Sequence, residues 1–156
     1  MQGLAADGAI ESDERALLRR PVVARSENGA QQLGDRYWLE VTRGSRGIVR
    51  RRLTASGVEL RLLWRGPCLL RFGRPETSCD ASAVTCRDPI LGGLLARRPG
   101  GWLTLTQIEQ PEPELRAAVN GVRPRLSSRL YEHVQRRLHL AISRRYFVGL
   151  VAEAQR

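Results

Sequence analysis

Lysine is absent from this chain of 156 residues, and the whole of its basic charge is carried by 26 arginines. A surface shaped for phosphate would use both cations, because arginine supplies a planar fork and lysine a compact point charge for different contacts. Arginine codons are G+C-rich and lysine codons A+T-rich, so the exclusion reads as the coding bias of a high-G+C bacterial genome, with the positive charge partly its by-product. The absence also removes chemistry: there is no lysine for a Schiff base, a P-loop or a general base. Long apolar runs are missing too. The longest candidates, such as Tyr146 to Ala152, fall well short of the roughly 20 residues a membrane helix needs, so no span is expected. The start, Met1 to Glu14, has no basic n-region or apolar core and carries Asp7, Glu11, Asp13 and Glu14, which reads as no secretory signal and a cytoplasmic location. Three cysteines, Cys68, Cys79 and Cys86, lack CxxC spacing and read as reduced, mostly buried thiols. The two histidines, His133 and His139, lie six apart and turn about 240° on a helix, so they cannot share a metal there. No metal or cofactor is expected.

What is present is ordinary for one globular domain: 42% hydrophobic and 27% charged residues, in a chain long enough to bury about 70% of its unfolded surface. Charge is uneven. Residues 1–35 hold four arginines against six acids, residues 36–109 thirteen against six, and residues 110–156 nine against four, so the body is basic and the leader is not.

Along the chain, Ser12-Asp13-Glu14 followed by Arg15 to Arg20 and Pro21 reads as a short helix with a serine cap and a proline stop. Arg25 to Gly34 has loop composition, which sets residues 1–34 apart as a partly disordered leader and 35–156 as the compact domain. From Arg36 to Gln110 the signal is strands. Tyr37, Leu39 and Val41 alternate with Trp38, Glu40 and Thr42, Val58 to Trp64 alternates likewise, and so does Trp102 to Ile108. Thr54 to Gly57 and Arg97 to Gly101 supply hairpin turns, and Gly66-Pro67 turns into Cys68 to Phe72. Pro111 to Glu114 reads as the start of a short helix ended by Asn120-Gly121. Pro124 to Ala152 reads as a long helix, with Leu126, Leu130, Val134, Leu138, Ala141 and Ile142 on one face and arginines on the next. The expected fold class is α+β: a curved antiparallel sheet of six to seven strands in meander order, packed against a long C-terminal helix.

Two kinds of site follow. Trp38, Trp64 and Trp102 on strands, with Phe72, would line a concave sheet face that Tyr131, His139 and Tyr146 close from the helix; the alternative is a filled core. Arg50, Arg52, Arg97 and Arg98, with Arg136 and Arg137 of the helix, form a basic surface fit for nucleic acid or another anionic partner. Arg51 is sent to the opposite face of its strand. Only 5% of residues are aromatic, and neither an RNP-type nor a helix-turn-helix pattern occurs, so base reading lacks its usual parts. Cys79 and Cys86 beside arginines give weak support for a nucleophile, and the Gly-Gly pairs fit no phosphate loop.

A meander followed by one long C-terminal helix resembles the helix-grip arrangement of the START and polyketide-cyclase-like (SRPBCC) ligand-binding superfamily. The stretch Pro89-Ile90-Leu91-Gly92-Gly93-Leu94-Leu95-Ala96-Arg97-Arg98-Pro99-Gly100-Gly101-Trp102 is similar to a penultimate-to-last strand hairpin in bacterial members. The resemblance spans at most Arg36 to Ala152, and the sequence departs from it in offering no helix pair between the first two strands. A small closed barrel with a trailing helix, of the lipocalin-like kind, is the other architecture left open. The resemblance implies an apolar pocket between sheet and helix, with Trp64, Arg71, Trp102 and Tyr131 placed to line it. It does not imply catalysis, because members range from carriers to cyclases. The functional expectation is therefore non-enzymatic binding of a small apolar or amphipathic molecule, with the anion-binding surface as the rival and an enzyme third.

Overall fold

A computed structural model of the chain describes residues 2–4, 9–125 and 144–152. The polypeptide begins with β1 (Gln2–Leu4) and β2 (Ile10–Leu17), crosses through helix α1 (Glu27–Gly44), and continues as β3 (Val49–Thr54), β4 (Gly57–Leu62), β5 (Cys68–Phe72), β6 (Glu76–Cys79), β7 (Ala83–Gly92), β8 (Trp102–Ile108) and β9 (Glu114–Val122). Residues 144–152 form a further helix, α2. Every pairing is antiparallel, in the order β1-β2-β9-β8-β7-β5-β4-β3, with β6 also on β7. The path is open from β1 to β3, so the sheet is not a closed barrel. The class is α+β.

Strand β7 is the hinge of this arrangement. Its first half pairs with β6, through Val84 to Arg87, and its second half with β5, through Ile90 and Gly92. Pro89 sits between the two halves, where its missing N–H costs no ladder bond, and its carbonyl accepts from Gly73 N at 2.8 Å.

Helix α1 forms because Ala30, Leu33, Gly34, Tyr37, Trp38 and Val41 recur at helical spacing and are all buried. Ser26 caps it, its hydroxyl accepting from Gly29 N at 3.0 Å, and Glu27 occupies the first turn. The buried face lies on β7, β6 and β3. Each fully buried side chain there, such as Leu33 or Val41, contributes about 1.5–3 kcal/mol. Tyr146 of α2 packs edge-on to Tyr37 and donates from its hydroxyl to Leu33 O at 3.3 Å, so the second helix rests on the first.

Several expectations are corrected. Ser12 to Arg20 is not a helix: Ile10–Leu17 is a strand paired with β9. Tyr37 to Thr42 is not a strand but the middle of α1, which places the expected boundary at Asp35 inside a helix. The segment after Pro111 is strand β9 rather than a short helix. Nine strands are present among the described residues, against the six or seven expected. The hairpin of β3 with β4 stands as expected, whereas the strand paired with β8 ahead of the Arg97 to Gly101 loop is Ala83 to Pro89 of β7 and not Ile90 to Ala96. Of the long C-terminal helix, positions 126–143 lie outside the described residues, and 144–152 is helical.

Candidate functional site

Helix α1 does not seal against the sheet along its whole length. Between it and strands β3, β4 and β7 lies a half-open cleft of about 120 Å³, lined by Gln31, Gly34, Asp35, Trp38, Arg51, Leu53, Gly57, Val58, Pro75, Cys86 and Asp88. Trp38, Leu53, Val58 and Pro75 make its apolar wall. Two glycines set its shape. A Cβ on Gly34 would come within 3.0 Å of Cys86 Sγ, and Gly57, at φ +142°, would drive a Cβ into the carbonyls of Phe72 and Gly73.

The polar groups of the cleft come from three elements. On β7, Val84, Cys86, Asp88 and Ile90 all point inward and are buried, so a carboxylate occupies a position the strand otherwise fills with apolar side chains. Asp88 is only 1% exposed and its Oδ2 has no hydrogen-bond partner. Arg51, sent to this face by strand alternation, is engaged by Asp35 of α1 at 3.1 Å. Burial pushes the Asp88 carboxyl up to about 7, the negative charge of Asp35 adds to the rise, and Arg51 opposes it. Cys86 is raised to about 12, first by burial and then by Asp88 and Asp35. It therefore stays a thiol at neutral pH, the less reactive form.

The expected pocket residues are mostly elsewhere. Trp64 lies in the β4–β5 loop and is 75% exposed, with the Arg50 guanidinium 5.0 Å from its ring centroid. Trp102 begins β8 on the face opposite the buried Leu103, Leu105 and Gln107, half-buried beneath Arg87 at 4.3 Å. Arg71 is exposed on β5, its Nε 3.4 Å from Glu59, which also holds Arg61. Of the aromatic set proposed for a cavity, Trp38 and Phe72 do meet, at 4.6 Å between centroids, but Trp38 reaches Phe72 from α1. Tyr131, His139, Arg136 and Arg137 lie outside the described residues. Arg52, Arg97 and Arg98 are exposed, with Arg97 and Arg98 in the β7–β8 loop. Cys79 is exposed rather than buried, Cys68 is partly buried, and all three cysteines are free thiols.

Sequence reading missed Asp35 and Asp88 as a pair. The signal for Asp88 was present: it falls in step with Val84, Cys86 and Ile90 on one strand face. No family model matches the chain, and none of the curated proteins compared with it matches.

Proposed function

We propose that this protein binds a small amphipathic molecule in the cleft between α1 and the sheet, without chemistry of its own. The reading moves the expected pocket from the C-terminal helix to α1. The observation that carries it is the combination of an apolar wall with a buried, unpartnered carboxylate oxygen at Asp88, an arrangement a bound polar group would complete. At about 120 Å³ the cleft is small beside the roughly 300–1,000 Å³ of drug-sized pockets, so it suits a small molecule or one end of a longer one. The helix-grip resemblance supports the same class of function. A long helix crosses between the first long strand, β2, and β3, although the superfamily has two helices there.

Native mass spectrometry of protein purified through high salt and nuclease tests the reading. A small mass lost on denaturation is expected from wild type and reduced in Leu53→Asp, which changes a 68% exposed wall residue. An apo mass for both proteins, unchanged by a panel of added amphiphiles, would overturn it.

A second reading has its own observation. The exposed Trp64 ring with Arg50 against it, beside Arg52 on the same strand, is the pairing of aromatic face and cation that single-stranded nucleic acid uses. It is tested by anisotropy of a labelled oligonucleotide across a salt series. A steep loss of affinity supports it, and a flat response removes it.

A further inference from the structure

We infer that the cleft selects a ligand presenting a protonated primary or secondary amine on a short apolar body, with the Asp88 carboxylate as its hydrogen-bond acceptor. The inference rests on the cleft-binding reading above and names the chemistry the cleft would take.

Asp88 is the group that needs explaining. A buried aspartate is ordinarily satisfied by an arginine, a turn amide or a hydroxyl. Arg51, the guanidinium that acts on it, is bonded to Asp35, and Asp88 lines the cleft with its Oδ2 buried and unpartnered. The groups around it are Asp35 and Tyr37 from α1, Arg51 from β3 and Cys86 on its own strand; Leu103 opposite it on β8 and Pro75 beside the cleft carry no charge. Tyr37 and Cys86 are held neutral by burial. Two carboxylates thus stand against one guanidinium, giving a locally acidic floor in a chain of formal net charge +10.

That balance decides among ligand classes. An anion would meet both carboxylates with Arg51 already engaged. A neutral carbonyl would bind only while Asp88 kept its proton. A cation gives the Asp88 carboxylate a donor and relieves the repulsion between Asp88 and Asp35 in one contact. The ligand's charge must carry N–H, because a carboxylate with no hydrogen-bond donor calls for a hydrogen bond as well as a counter-charge. Trp38, Leu53, Val58 and Pro75 then cover the hydrocarbon.

The test uses n-butylamine, n-butanol and butyrate as matched probes, titrated into the whole protein. Two-dimensional NMR at the amides of Gly34 and Gly57, both lining the cleft, is the readout. Butylamine is expected to shift these amides. Its affinity should rise about tenfold per pH unit up to about pH 7 and level off above, as the amine displaces the Asp88 proton. Asp88→Asn should abolish the amine response. Asp35→Asn, at an exposed position of α1, frees Arg51 for Asp88 and should weaken butylamine about tenfold. Butanol or butyrate binding as well as butylamine, in wild type and Asp88→Asn alike, would overturn the amine inference and leave the cleft a binding site. No shift with any probe at millimolar concentration would overturn the cleft reading itself.

Discussion

At Asp88 the folded chain holds a proton more tightly than the unfolded one, because burial and Asp35 together raise its pKa from 3.8 to about 7. Between about pH 4 and 7 the folded state therefore binds more protons, and the free energy of unfolding falls as pH rises. Three units at roughly 1.4 kcal/mol each set an upper limit near 4 kcal/mol. Urea unfolding should show a lower midpoint at pH 8 than at pH 5. Asp88→Asn should flatten that difference and exceed wild type at pH 8 by on the order of 2 kcal/mol. A less stable variant at pH 8 would mean that the ionised carboxylate is compensated inside the fold. Asp13 behaves with the opposite sign. The Arg116 side chain, bonded to both its oxygens at 2.7 Å, leads in holding the carboxyl down at about 2, with Arg15 adding to it against the opposing effect of burial. Its contribution is present above pH 4 and is lost as pH falls from about 4 to 2. Because Arg116 is 40% exposed at the side chain, solvent screening limits the effect to under about 1 kcal/mol, and acid titration of Asp13→Asn against wild type measures it.

Among the elements, β8 does more than pair. Gln107, fully buried on its inward face, accepts from Val22 N and Val23 N at 2.7 and 3.0 Å and donates to Val23 O at 2.9 Å. One side chain thus pins the connection between β2 and α1 to the sheet, and with it the N-terminal end of the helix that walls the cleft. Gln107→Leu keeps the volume and orphans two amides and a carbonyl, so it should cost roughly 2–4 kcal/mol. Hydrogen exchange at Val22 and Val23 should quicken well beyond what the global loss explains, and unchanged local exchange would count against the clasp. The same elements show what the sequence made legible. The hairpin of β3 with β4 was readable because turn residues stood between alternating runs; of the β7–β8 hairpin only β8 and the turn were, since its partner Ala83 to Pro89 lies further back along the chain. In α1, Tyr37, Leu39 and Val41 imitate period two over six residues, whereas the spacing of Ala30, Leu33, Tyr37, Trp38 and Val41 over twelve is helical. Arg25 to Gly34 has loop composition, yet from Glu27 it is the first turns of that helix, capped by Ser26. In β2 the cap-like Ser12-Asp13-Glu14 was local chemistry overridden by pairing to β9, whose partner residues lie about a hundred positions away and leave no mark in a local window. The cleft was illegible for the same reason: Asp35, Arg51 and Asp88 come from three elements that only the fold assembles.

Over the whole molecule two groups of arginines stand in contrast. Arg15, Arg25, Arg43, Arg51, Arg61, Arg71 and Arg116 stand within 4.0 Å of a carboxylate, while Arg46, Arg52, Arg65, Arg97 and Arg98 are exposed with no such partner among the described residues. Salt acts on these in opposite senses. Screening weakens exposed ion pairs, each worth about 0–1 kcal/mol, and relieves the self-repulsion of a chain with net charge +10. Among the described residues, Arg15, Arg43 and Arg71 pair through side chains more than half exposed, where little attraction is left to lose. Repulsion should therefore win, and Tm should rise between 10 and 300 mM sodium chloride by a few degrees, since a Debye length near 10 Å at 0.1 M already separates most surface charges. Reversing Arg97 and Arg98 to glutamate lowers the net charge by four, so that variant should start with a higher Tm and gain less from salt. A Tm that falls with salt in both proteins would mean that the ion pairs, Asp13 with Arg116 foremost, hold the fold more than the surplus charge strains it.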